Sequence, residues 1–145
     1  MKDIISRLTK QFEEPGDFFG GIDEELICKY EQHLNCRFPE SYRWFLHQYG
    51  GGGVLGIDIT GGKSLETSTL ISNTKSYRTM GMPEEYVVIY DLDEYVYCLD
   101  TGNLIEGECP VLSWDFVSKR PYVKYNNFYE FFLDRLEIAI EDYED

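Results

Sequence analysis

The sequence contains 145 residues, with 13 Lys and Arg against 27 Asp and Glu, which gives a formal net charge of −14. This length fits one domain, and the content of 43% hydrophobic and 16% aromatic residues can form a core, which excludes a disordered chain. The negative charge disfavours binding to nucleic acid or to anionic membranes, since both need a positive protein surface, and it favours a basic partner or simple solubility.

Three amphipathic helices are predicted in residues 2–50. The first covers residues 2–13. The second follows Asp23, whose side chain can cap it, and the third opens at Pro39 and ends at Gly50, because glycine tolerates the left-handed backbone found just beyond a helix. The apolar positions at helical spacing are Ile4, Ile5, Leu8 and Phe12, then Leu26, Ile27, Tyr30 and Leu34, then Tyr42, Phe45, Leu46 and Tyr49.

Short strand patterns dominate the chain beyond these helices. Strands are predicted at 54–59, 86–90, 95–99 and 110–114. The second and third of them are joined through Asp91-Leu92-Asp93-Glu94, which is typical of a hairpin turn.

Two further helices complete the predicted fold. A weak, Ser- and Thr-rich helix is predicted at 65–80, and a closing helix begins at about Phe128, capped by Asn126 or Asn127. The order of elements predicts an α+β fold: a single domain over residues 1–145, in which a mostly antiparallel or mixed sheet is flanked by helices.

Two short motifs partly resemble known binding sites. Gly61-Gly62-Lys63-Ser64 resembles the end of a phosphate-binding loop, but that loop needs an earlier glycine at the position that Ile57 occupies here, so a turn is predicted instead. Asp91-Leu92-Asp93-Glu94 lacks the glycine and the spaced Glu of a calcium loop, so it is predicted to be a solvated turn.

The histidines and cysteines do not predict a metal centre. They are His33, His47, Cys28, Cys36, Cys98 and Cys109. Their spacing matches no zinc site, and scattered thiols without a C-x-x-C pair are typical of reduced, buried cysteines. A catalytic Cys–His pair that meets only in space stays open at this point. Because the sequence shows no recognisable catalytic or metal-binding constellation, we predict no catalytic residue, no cofactor and no metal.

The chain carries no predicted targeting or membrane segment. Its amino terminus lacks the continuous apolar core of a signal peptide, and no apolar run is long enough to cross a bilayer. A cytoplasmic location is expected.

Acidic residues are concentrated in two segments. Residues 79–118 contain no Lys or Arg and nine acids: Glu84, Glu85, Asp91, Asp93, Glu94, Asp100, Glu106, Glu108 and Asp115. In the closing helix Arg135 is the one basic residue, and a stripe of Glu130, Asp134, Glu137 and Glu141 lies opposite the apolar face. The stripe is consistent with a solvated face or with a partner surface, whereas tyrosines among the hairpin acids favour an interface.

The order of motifs along residues 20–140 is more specific than any single motif. It runs from Phe38-Pro39-Glu40-Ser41-Tyr42-Arg43-Trp44-Phe45-Leu46 and Tyr49-Gly50-Gly51-Gly52-Gly53 through Tyr97-Cys98-Leu99-Asp100-Thr101-Gly102, Gly107-Glu108-Cys109-Pro110-Val111 and Trp114-Asp115 to Phe128-Tyr129-Glu130-Phe131-Phe132. This order resembles the SUKH superfamily, and within it the YobK-type immunity proteins. The basic segment 118–125 departs from that pattern, and no role is predicted for it.

The resemblance implies an α+β domain that acts as an antitoxin, in other words an immunity protein. Such a protein binds a cognate polymorphic toxin, often a nuclease, and covers its basic surface. The alternative is a non-catalytic regulatory module of the same fold that binds other proteins. Both hypotheses imply a protein partner, and neither requires nucleic acid, a membrane or a cofactor.

On the antitoxin hypothesis, the partner should contact acids of the strand-rich half. The candidate residues are Asp91, Asp93, Glu94, Asp100, Glu106 and Glu108, with Tyr95 and Tyr97 as anchors. Acids suit this role because a nuclease needs positive charge to hold phosphates, and tyrosines suit it because they supply large contact area.

Overall fold

A computed structural model describes residues 1–144, in which five helices and a four-stranded sheet form an α+β fold, as predicted. The helices are α1 (Lys2–Phe12), α2 (Glu24–Leu34), α3 (Glu40–Gln48), α4 (Thr69–Thr79) and α5 (Phe128–Glu144). The strands are β1 (Tyr86–Asp91), β2 (Tyr95–Asp100), β3 (Val111–Asp115) and β4 (Arg120–Tyr125). A short 3-10 turn, Thr101–Asn103, follows β2.

The four strands form an antiparallel sheet in the order β1-β2-β3-β4. Side chains alternate between its two faces, as the strand period requires. One face joins the main core, where Tyr97 packs against Phe131 of α5 with ring centroids 5.1 Å apart. The other face carries a smaller cluster around Trp114, flanked by Tyr77 of α4 and by Phe116. The sheet therefore lies between the main helical layer and a thinner cover.

Local capping explains where several helices begin. The Asp23 carboxylate accepts a hydrogen bond from Leu26 N at 2.9 Å, which confirms the predicted cap of α2. At α5 the structure selects Asn127 between the two predicted caps, because its side-chain oxygen accepts from Glu130 N at 2.9 Å. The Ser68 hydroxyl caps α4 in the same way, so that helix begins at Thr69 rather than at the predicted position 65.

The outer edge of β1 is covered by side chains and loop. The buried Thr74 hydroxyl accepts from Val88 N at 3.0 Å, and the Thr60 hydroxyl donates to Val88 O at 2.8 Å. The opposite edge strand, β4, is exposed along most of its length and carries Pro121, a residue that edge strands tolerate. Sequence reasoning assigned no element to this basic segment.

The strand predicted at 54–59 is wrong. Leu55 and Gly56 have positive φ values of 53° and 84°, and Ile57 N donates to Val54 O at 3.0 Å, so the chain turns there. Ile59 alone makes isolated bridges, to Gly52 and Tyr90. Val54, Ile57 and Ile59 are buried as parts of a loop, and Leu55 is half-buried.

Glycine stretches that are distant in sequence cross at close range. Gly62 N donates to Gly50 O at 2.8 Å. A Cβ at Gly61 would lie 1.9 Å from the same carbonyl oxygen, and a Cβ at Gly50 would lie 2.0 Å from Gly20 O. This close backbone approach requires glycine at these positions, and it agrees with the turn predicted at 61–64.

The cysteines are free, and their burial is mixed. Cys98 and Cys109 are buried as predicted, whereas Cys36 is half-buried and Cys28 is exposed, contrary to the expectation for that residue. None of the helices formed by residues 1–144 has the length and apolar character needed to cross a membrane.

Candidate functional site

The eight candidate residues do not form one patch. Asp91, Asp93, Glu94 and Tyr95 lie at the β1–β2 turn, which we call the hairpin end. Asp100 is the last residue of β2, and Glu106 and Glu108 follow it, at the end of the strand that we call the loop end. The two ends are separated by the length of β2, roughly 17 Å at the usual rise per residue of a strand.

The hairpin end is held in a fixed turn. Asp91 accepts hydrogen bonds from Asp93 N at 2.8 Å and from the Tyr77 hydroxyl at 2.7 Å. Leu92 N donates to Tyr95 O at 3.1 Å, and Asp93 adopts a positive φ of 67°, which Asp tolerates better than most residues. Asp91 is therefore an internal support, while the side chains of Asp93 and Glu94 project into solvent.

Burial and the Asp91 carboxylate both act on Tyr77. Desolvation raises the pKa of this phenol, and the hydrogen bond to Asp91 raises it further because the neutral phenol is the donor. The Tyr77 phenol therefore stays protonated at neutral pH and remains the hydrogen-bond donor.

Two of the acids at the loop end serve the fold. The Glu108 carboxylate accepts from Ser41 N at 2.9 Å and from the Ser41 hydroxyl at 2.6 Å, at the amino terminus of α3. Asp100 is 7% exposed, and one of its oxygens accepts from the Asn103 amide at 2.6 Å. Glu106 is exposed. A partner can therefore reach Glu106 freely, but Asp100 and Glu108 are turned to internal contacts.

The two candidate tyrosines differ in accessibility. Tyr97 is 6% exposed and lies between Phe131 and Arg135, whose guanidinium carbon is 5.3 Å from the ring centroid. Burial raises the pKa of Tyr97 to about 12, against the opposing effect of the Arg135 charge. Tyr95 is half-buried and packs edge-on against Tyr97 at 5.7 Å. Tyr95 is thus the tyrosine of this pair that a partner can touch.

The acids of residues 79–118 are not neutralised by neighbouring cations. Within residues 1–144, ion pairs join Lys29 to Glu25, Arg43 to Glu24 and Glu31, His47 to Glu24, and Arg135 to Asp134. No acid of segment 79–118 takes part in them. The charges of its exposed acids, such as Asp93, Glu94 and Glu106, are therefore available to a partner.

The acidic stripe of α5 is less uniform than its spacing predicts. Glu130 accepts from Asn126 N at 2.8 Å, and Asp134 accepts from the Tyr125 hydroxyl. Glu137 and Glu141 are exposed. Only the carboxyl-terminal part of the stripe is therefore a free carboxylate surface.

Sequence reasoning missed a cavity beside the hairpin end. It has a volume of about 550 Å³ and lies between loop 55–57, Tyr90 of β1 and α5, with Arg135, Ile138 and Asp142 among its lining residues. The signal in the sequence was Arg135 itself, the one basic residue in the acidic closing helix. The other residues around the cavity come from segments that are distant in sequence, so the cavity could not be predicted from the sequence near Arg135.

The structure offers little support for nucleophilic or metal chemistry. Burial raises the pKa of Cys36 to about 11 and that of Cys109 to about 12, so both thiols stay protonated at neutral pH. In the part of the chain that the structure describes, no group of three or more His, Cys, Asp or Glu residues is placed to hold a metal ion.

Comparison with known proteins gives both a family and a fold. The SUKH_5 family model, described as SMI1-KNR4 cell-wall, matches residues 1–137. A solved structure, described as a crystal structure of a protein from Pseudomonas syringae pv. tomato, matches with a TM-score of 0.65 at 17% sequence identity. The match covers 84% of this chain and 89% of the other. At this identity the solved structure supports the fold alone.

Proposed function

Because the chain belongs to the SUKH family, whose members include immunity proteins, we propose that it is an immunity protein. In this proposal it binds a cognate toxin, a nuclease, in the cytoplasm of the cell that makes it, and acts by covering the toxin's basic surface. It is a stoichiometric inhibitor and needs no catalytic residue or cofactor.

The observation that carries this proposal is the unpaired negative charge of residues 79–118. Asp93 and Glu94 are exposed at the tip of a hydrogen-bonded hairpin, and no cation lies within ion-pair distance of either carboxylate in residues 1–144. The half-buried Tyr95 beside them supplies apolar contact area. We place the centre of the interface at the hairpin end and leave the buried Asp100 and Tyr97 out of it.

Charge complementarity increases the rate at which such an inhibitor associates with its toxin. Opposite potentials steer two proteins together and raise association rates to about 10⁸–10⁹ M⁻¹s⁻¹ at low salt. A nuclease must keep a positive surface to hold phosphates, so an acidic inhibitor meets a surface that the toxin cannot neutralise without losing its substrate. A turn already held by internal hydrogen bonds also reduces the entropy lost on binding.

Co-expression with toxins encoded beside the gene tests the proposal. We expect one of these toxins to stop growth when expressed alone and to be tolerated when this protein is present, with a stable complex recovered by size-exclusion chromatography. Failure of the intact protein to rescue growth, or to bind, with every neighbouring toxin would overturn the proposal.

The family description, SMI1-KNR4 cell-wall, favours one second candidate. On this alternative the domain is a non-catalytic regulatory module that binds a signalling protein. Affinity capture separates the two: recovery of a signalling protein, with no toxin gene nearby, favours the regulatory module over the antitoxin.

A further inference from the structure

The cavity beside the hairpin end has one cationic side chain and apolar walls. Its volume of about 550 Å³ falls within the usual range of ligand pockets, roughly 300–1,000 Å³. Ile57, Tyr90, Ile138 and Tyr143 are among its lining residues, and Arg135 is the cation. Ile138 and Tyr143 are 40% and 68% exposed, so the cavity is open to a large binding partner.

The Arg135 side chain is half-buried, and its guanidinium is incompletely paired. Its side chain is 20% exposed, and its Nε atom is buried with no hydrogen-bond partner. The nearest carboxylate oxygen, Asp134 Oδ2, is 3.7 Å away and already accepts from the Tyr125 hydroxyl. Because that Nε is closed to solvent, a ligand in the cavity can pair only with the terminal guanidinium nitrogens, Nη1 and Nη2, which are not among the buried unpaired atoms.

We propose that this cavity binds a carboxylate on a polypeptide partner. Arg135 receives the carboxylate, and the apolar walls hold a hydrophobic side chain next to it. A guanidinium is suited to this ligand because its planar fork can donate two parallel hydrogen bonds to a carboxylate. The choice of a polypeptide rests on the proposed protein-binding function, since Tyr90 directly precedes the hairpin turn.

Charges around the cavity narrow the ligand class. Asp142 lines the same cavity, seven residues after Arg135 and thus about 10 Å further along the helix axis. The net charge of −14 repels free anions such as phosphate. A carboxylate is held here only if apolar contact adds to its hydrogen bonds with Arg135.

Two matched pairs of probes test the proposal by NMR titration of the full chain. The first pair is N-acetylphenylalanine and its amide, which differ only in the terminal carboxylate. The second pair is acetyl-Phe-Glu-amide and acetyl-Phe-Gln-amide, which differ only in a side-chain carboxylate. The readouts are the Arg135 Nε–Hε signal and the methyl signals of Ile57 and Ile138.

We expect saturable shifts of these signals with at least one of the acids, and binding at least tenfold weaker for its neutral partner. The pair that shows the difference tells whether the site takes a chain terminus or an acidic side chain. Equal binding by acid and neutral probes in both pairs, or shifts that avoid Arg135, would overturn the proposal.

Substitutions provide a second test. Arg135→Gln should abolish the difference between acid and neutral probes, but it also removes the contact with Tyr97. Ile138→Glu keeps Arg135 and places a negative charge in the cavity, so it should also abolish acid binding. Ile105→Glu makes the same change at a site that is 70% exposed and outside the cavity, and it should leave binding unchanged.

These results separate the inference from the proposed function. If a toxin binds while acid and neutral probes behave alike, the inference fails and the immunity function stands. If acid probes bind through Arg135 while no neighbouring toxin binds, the cavity is confirmed and the immunity function fails.

Discussion

Glu108 closes the first turn of α3 although it lies 67 residues further along the chain than its partner, Ser41. Pro39 stands at the cap position and offers no side-chain hydrogen bond. The Glu108 carboxylate takes over that role, and negative charge is favourable at a helix amino terminus. Glu40 N donates to Gly107 O at 2.8 Å in the same contact. The loop after β2 is thereby fastened to the helical layer.

Removing this long-range cap should destabilise the protein. We expect Glu108→Ala to lower the free energy of unfolding by about 1–2 kcal/mol, since it leaves the α3 amino terminus without a side-chain acceptor. Glu106→Ala, at an exposed neighbouring site, should change it by less than about 0.5 kcal/mol. Urea denaturation followed by circular dichroism measures both. Equal stability of the two variants would contradict the capping role.

The glycine crossing makes a second prediction about stability. Gly61→Ala should lower the free energy of unfolding by about 3 kcal/mol or more, because the new Cβ would lie 1.9 Å from Gly50 O and the backbone has to move. Gly56→Ala is the matched control: it has a positive φ of 84° and open space around the Cβ, so only backbone strain of about 1 kcal/mol is expected. Thermal denaturation of both variants checks the order of the two effects.

The starts of α2 and α5 were predictable because their capping signals are local. Asp23 and Asn127 bond to residues three positions away, and both caps were expected. Strand 54–59 failed because its apolar residues serve a loop that turns at Leu55, and apolar spacing alone does not distinguish the two. Strand β4 was missed because most of its residues are exposed, so it shows no alternation of buried and exposed positions.

The candidate site was predictable to the extent that it is local in sequence. Asp93, Glu94 and Tyr95 come together because a hairpin turn joins them. Nothing near Glu108 in the sequence reveals that its carboxylate is used at Ser41. The surroundings of Arg135 could not be predicted for the same reason, since its neighbours Tyr97 and Tyr125 come from two different strands.

Alkaline pH should destabilise the protein through its tyrosines. Burial raises the pKa of Tyr97 to about 12, above the value near 10 of an unfolded tyrosine. Between these values the unfolded chain loses its proton first, so it binds fewer protons than the folded chain and the free energy of unfolding falls as pH rises. One such group contributes a slope of up to about 1.4 kcal/mol per pH unit.

Tyr97→Phe should therefore flatten the fall in stability between pH 10 and pH 12, the range set by those two pKa values. Tyr143→Phe, at a side chain that is 68% exposed, is the control and should leave the slope unchanged. Urea denaturation at several alkaline pH values gives the slopes. A fall of the same steepness in both variants would show that Tyr97 does not titrate in this way.

The proposed interface predicts that charge at the hairpin end governs the rate of association with a toxin. Asp93→Asn combined with Glu94→Gln should lower the association rate about 3- to 10-fold at low salt and leave the dissociation rate nearly unchanged, because exposed charges act mainly on the encounter. Salt screens such charges over roughly 10 Å at 0.1 M, so the wild-type rate should fall as salt increases and approach that of the double variant.

The matched control removes two charges from the other end of the sheet. Glu84→Gln combined with Glu85→Gln changes the net charge by the same amount at exposed positions next to the turn Thr101–Asn103. If the hairpin end is the contact, the association rate of this variant should fall far less than that of the hairpin variant. Stopped-flow mixing with the same toxin measures both rates. If both variants slow association equally, net charge alone steers the encounter, and the hairpin end has no special place in the interface.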